Sequence, residues 1–129
     1  MTGSQEPKIA IPSAVGELID KITILEIKEN LAGDATELGN ISRELALLRK
    51  LKTECGFAGE QPAKLEAELK AANSLLRTLE DAIREHEARN DFGAGFVSLA
   101  RQVYKTNDRR KALKEQLNAL LHSVIITEI

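Results

Sequence analysis

The stretch GELIDKITILEIK, Gly16 to Lys28, decides how the rest of the chain must fold. Placed on a helix at about 100° per residue, it puts Val15, Leu18, Ile19, Ile22 and Leu25 in one broad arc and Ile24, Ile27 and Leu31 in a second. Only narrow polar strips separate the arcs: Glu17, Lys21 and Lys28 on one side, Thr23 and Asn30 on the other. A helix that is apolar on two faces is a central helix, covered by several partners. Two carboxylates break the pattern. Asp20 points between Ile24 and Ile27, and Glu26 points between Val15 and Ile19. In such places a carboxylate needs a basic partner, access to water or a shifted pKa.

Outward from this stretch the chain reads as an all-α, antiparallel bundle of four long helices, at about 13–32, 35–55, 62–89 and 94–123. Ser13 is placed to cap the first, and Gly33-Asp34 ends it. Asp34 or Thr36 caps the second, whose apolar series is Leu38, Ile41, Leu45, Leu48 and Leu51; Gly56 and Gly59 stop it. Pro62 suits the first turn of the third helix. From there Leu65, Leu69, Ala72, Leu76, Leu79 and Ile83 alternate steps of four and three, a coiled-coil-like seam about 40 Å long. The turn at Asn90 to Gly95 reverses the chain, and Phe96, Leu99, Val103, Leu113, Leu117, Leu120 and Val124 stay in phase beyond it. One continuous fourth helix is favoured over two helices divided at Thr106-Asn107-Asp108. Its middle then turns Asn107, Arg110 and Lys114 inward, as counterparts for Asp20 and Glu26. The β-branched tail from Val124 reads as extended, and Lys8 to Ile11 is its obvious mate in a short pairing of the termini.

With 129 residues the chain fits one domain, over 8–129, behind a polar and disordered segment at 1–7. Its 18 basic and 20 acidic residues are interleaved and give a net charge of −2, so bulk attraction to nucleic acid is not expected. The scarcity of aromatics, with no Trp and one Tyr, also argues against stacking on single strands. No apolar run is long enough to insert in a membrane. The N-terminus has no secretory pattern, and the single cysteine, Cys55, forms no internal disulfide, which together suggest a cytoplasmic protein. Cys55 itself reads as a half-buried structural thiol.

Chemistry is less specified. Asp20, Glu26, Glu80 or Arg84, Tyr104, Asn107, Arg110 and Lys114 could meet as a polar cluster between the first and fourth helices. Such a cluster is either a structural ion-pair network or a ligand site. Its basic members would suit a carboxylate or phosphate. A divalent metal would need several converging oxygens, which the spacing does not indicate, so no cofactor is expected. Glu26-x-x-Glu29 lacks the second acidic pair of magnesium-dependent helical pyrophosphatases, and the first helix lacks the arginines of a chorismate-type mutase. His86 and His122 read as surface or packing residues. Gly-rich phosphate loops, CxxC, HExxH and GxSxG motifs do not occur.

Three blocks carry a family resemblance: IPSAVGELIDKITILEIK at Ile11 to Lys28, N-x-x-L-x-x-x-E-D-x-I-R at Asn73 to Arg84, and F-x-x-x-F-x-x-L-A-R-x-V-Y-x-x-N-D-x-R at Phe92 to Arg110. Together they resemble an uncharacterised bacterial family of small helical proteins associated with glycosyltransferase-type and cell-surface polysaccharide genes. By that resemblance Glu17, Asp20, Lys21, Glu26, Lys28, Asn73, Glu80, Asp81, Arg84, Arg101, Tyr104, Asn107, Asp108, Arg110 and Lys114 match the family's polar pattern, and all of these but Lys28, Asn73 and Asp81 are the candidate ligand-binding residues. Arg77 departs from it, since a Trp is expected there. The resulting expectation is a non-catalytic accessory or scaffold module in polysaccharide assembly, a homo-oligomer with a possible glycosyltransferase partner. The alternative is a small enzyme or binding protein for a phosphorylated or sugar-nucleotide ligand.

Overall fold

The computed structural model describes residue 9 and residues 12–128, with side chains to residue 121. It contains four helices: α1 Val15–Leu31, α2 Ala35–Glu54, α3 Glu60–Ala88 and α4 Ala94–Glu128. Among the described residues there is no strand. The chain is therefore an all-α four-helix bundle. Its longest members, α3 and α4, form a hairpin; α1 packs against both of them and against α2. The double apolar face of α1 thus has its partners, and α1 is the central helix.

The ends of the helices follow local chemistry. Asp34 caps α2, its carboxylate accepting from the Glu37 backbone N–H at 2.7 Å. Pro62 lies buried in the first turn of α3, where a missing N–H leaves no bond broken. Gly59 precedes that turn with φ of 107°, a conformation that favours glycine. Asn90, with φ of 54°, turns the chain toward α4.

Ile19, Ile22 and Leu25 of α1 form one core with Ile41 and Leu45 of α2, Leu65, Leu69 and Ala72 of α3, and Leu113 and Leu117 of α4. The α3 seam is buried from Leu65 to Leu79 and half-buried at Ile83, so most of it closes within the chain. At its start α1 comes very close to α4. A Cβ on Gly16 would stand 2.5 Å from the Lys114 carbonyl oxygen, and the Gly16 N–H donates to Asn118 Oδ1 at 2.7 Å. Only glycine permits that approach, which sets the register of α1 on the hairpin.

Three expectations need correction. The N-cap of α1 is Ala14, with no side-chain cap bond, and Ser13 donates instead to the Ala14 carbonyl. The orphan N–H groups of that first turn are met in part by Asn118, which makes a serine cap dispensable. The segment from Val124 is helical to Glu128 rather than extended. β-Branched residues cost only tenths of a kcal/mol each in a helix, too little to end one that no Gly or Pro interrupts. The proposed mate at 8–11 lies outside the described residues apart from Ile9, which has no regular structure. Cys55 is exposed at the end of α2 rather than half-buried.

Candidate functional site

The polar centre of the bundle is built around Asp20, whose side chain is 5% exposed. Arg110 of α4 grips it side-on: Nε donates to Oδ1 at 3.0 Å and Nη2 to Oδ2 at 2.5 Å. Asn73 of α3 donates to Oδ1 at 2.9 Å and shares its amide with Thr23 Oγ1 at the same distance. Thr23, fully buried, donates back to the Asp20 carbonyl at 2.8 Å. Three helices are thus tied together by one carboxylate. Burial pushes the Asp20 carboxyl up. The Arg110 and Asn73 hydrogen bonds, with the charges of Arg110 and Lys114, outweigh burial and hold it below the usual carboxylate range. The same bond to Asp20 raises Arg110 further, against the opposing effect of burial.

Lys114 is drawn to the same side of α1, where it pairs with Glu17 at 2.8 Å. Glu26 is not part of this centre. It lies on another side of α1, 2.8 Å from Arg49 of α2 and 3.3 Å from Lys70 of α3. Its expected partners on α4 were wrong, because α2 and the first half of α3 cover that side. Burial raises the Glu26 carboxyl, but the Arg49 hydrogen bond and the Lys70 charge bring it down on balance. Lys21 likewise faces α2, at 2.9 Å from Glu44.

Beside the Asp20–Arg110 pair a cleft of about 330 Å³ lies between the second half of α1 and the hairpin. Ile24, Ile27 and Leu76 supply its apolar surface. Arg77, Arg110, Asn73 and Asn107 line it with donors, and Glu80, Asp81 and Arg84 complete it. Arg84 lies 3.2 Å from Asp81 and 4.0 Å from Glu80. Arg101, Tyr104 and Asp108 are exposed on α4 and line no part of the cleft; Tyr104 is 69% exposed, which removes it from the cluster expected of it.

Asn73, Thr23, Asn118 and Arg77 were absent from the candidates. Asn73 had a legible signal, a polar residue flanking the apolar α3 seam in the turn that follows Leu69. Thr23 read as part of a polar strip, whereas Asn73 buries it. Among the described residues no group of three or more His, Cys, Asp or Glu side chains is placed to hold a metal ion. His86 sits at the far end of the hairpin, 3.3 Å from Asp91, edge-on to Phe96 and away from the cleft. No helix among the described residues is long and apolar enough to cross a membrane. No protein-family model, curated protein or solved structure matches the chain.

Proposed function

We propose that the protein is a non-catalytic helical accessory module that works in the bacterial cytoplasm by contact with other chains, a second copy of itself among them. The observation that carries this reading is the outer part of the α3–α4 hairpin. Burial ends at Leu79 on α3 and Thr106 on α4, and farther out Ile83, Phe96, Leu99 and Val103 are only half-buried. Phe92 and Val97 are half-exposed at the tip. The two helices of the hairpin leave these side chains partly open to water, so this arm keeps apolar surface for a partner.

The charges on the arm suit a second copy. Exposed Arg84, Glu85, Glu87 and Arg89 on the α3 side mix both signs, whereas Arg101 and Lys105 on α4 share one basic face. A two-fold arrangement would let the α3 carboxylates of one arm meet that basic face on the other. By contrast the Asp20 carboxylate, bonded by Arg110 and Asn73, is engaged as a structural tie between helices. The assignment to polysaccharide assembly, with a glycosyltransferase-type partner, rests on the resemblance of the three sequence blocks alone.

Light scattering on the full chain tests the reading. We expect a dimer at tens of micromolar, shifted to monomer by Val97→Asp without loss of helicity. A strictly monomeric wild-type chain at high concentration would remove self-association from the proposal.

A further inference from the structure

We propose that the cleft between the second half of α1 and the middle of the hairpin binds the phosphate or carboxylate group of a small ligand, held by Arg110, Arg77 and Asn107. This does not rest on self-association, because the cleft lies within one chain.

Arg110 supplies the fixed point. Asp20 occupies its Nε and one N–H of Nη2, which leaves both N–H groups of Nη1 and the second of Nη2 without a partner from that carboxylate. The guanidinium lines the cleft and is 29% exposed, so its remaining edge is presented there. A second carboxylate or phosphate fits that edge with two parallel hydrogen bonds. Because Asp20 already fixes the side chain, little further freedom is lost on binding.

Arg77 supplies the uncommitted charge. It lines the same cleft, yet takes part in none of the ion pairs among the described residues. Asp81 and Glu80 stand four and three residues ahead on the same helix, within natural reach, but both lie closer to Arg84. The cleft therefore carries both signs of charge. Its lining combines donors from Arg77, Arg110 and the amide of Asn107, which among the described residues donates to no protein group, with the two carboxylates beside Arg84. A ligand that fits both carries one oxyanion together with hydroxyl or ammonium donors. The cleft volume, about 330 Å³, lies at the small end of the range for ligand sites and admits a compact molecule only.

Calorimetric titration of the full chain with glycerol phosphate, glycerate and inorganic phosphate tests the assignment. Saturable binding of at least one of these probes is expected. Arg77→Gln and Asn107→Ala should each weaken it, Arg77→Gln by about tenfold, the loss of one charge-assisted contact. Both residues are exposed, so the variants should keep wild-type thermal stability, and Lys64→Gln, outside this cleft, should bind as wild type does. Preference for glycerol phosphate over glycerate identifies the anion as phosphate, and the reverse identifies it as carboxylate. Absence of saturable binding by all three probes, or undiminished binding by folded Arg77→Gln, overturns the proposal.

Discussion

Two carboxylates of α1, Asp20 and Glu26, interrupt the same apolar pattern and meet different fates. Asp20 is almost wholly buried and receives three hydrogen bonds, two from a guanidinium and one from an amide. Glu26 keeps 21% of its side chain exposed and pairs with Arg49 and Lys70, whose own side chains are half in water. The difference lies in the neighbours. Asp20 faces the point where α1, α3 and α4 converge, and Glu26 faces the outer rim between α2 and α3. A buried, fully bonded carboxylate ties helices into one register, whereas a rim carboxylate adds a weak and screened attraction.

Removing the guanidinium should break the comparison most strongly. Arg110→Ala leaves Asp20 charged and buried with only Asn73 as a side-chain donor, and breaking such a pair costs about 3 kcal/mol. In a domain of this size that lowers Tm by about 10 °C. Urea unfolding with an unchanged slope and a lower midpoint would record it. A loss of under about 1 kcal/mol would mean that Asp20 reaches water and that the centre is not closed.

Acid should produce the next effect. Both carboxylates are held below their usual range in the folded state, so the unfolded chain binds protons first as pH falls. Their contribution is complete above the unfolded carboxylate pKa, about 4, and is lost as pH falls through the lower folded values. Protonated Asp20 can still accept from Asn73, which makes this loss smaller than that of Arg110→Ala. Stability measured between pH 5 and 2 should fall less steeply in Asp20→Asn than in wild type. Parallel slopes for the two proteins would refute the depressed Asp20 pKa.

The fold was legible because its signals were periodic. The double arc of α1, the four-three steps of α3 and the unbroken phase of α4 each specify a helix and the face it buries. The pairing of Asp20 with Arg110 was also legible, since a misplaced acid on one helix and an inward base on another leave few alternatives. The position of Glu26 was not, because its partner depends on how far each helix is rotated about its neighbour. Gly16 shows the same limit: its role comes from the approach of the Lys114 carbonyl, a contact across 98 residues that no local pattern encodes. The extended reading of the tail failed because β-branching is a weak preference and a helix already 30 residues long propagates through it.

The smallest effect should come from the rim. Glu26→Gln removes a charge that Arg49 and Lys70 share, but both bases keep access to water and leave no buried charge behind. Its cost should be about 0.5 kcal/mol, near the median for partly exposed pairs. Long side chains must also be held still to make these contacts, which offsets part of the attraction. The cost should shrink further in 1 M salt, where the screening length is about 3 Å, while that of Arg110→Ala should persist because Asp20 is out of reach of mobile ions. Paired urea titrations at low and high salt measure both. If Glu26→Gln cost as much as Arg110→Ala, or resisted salt equally, exposure would not be what separates the two carboxylates, and α2 would have to clamp α1 as tightly as the hairpin does.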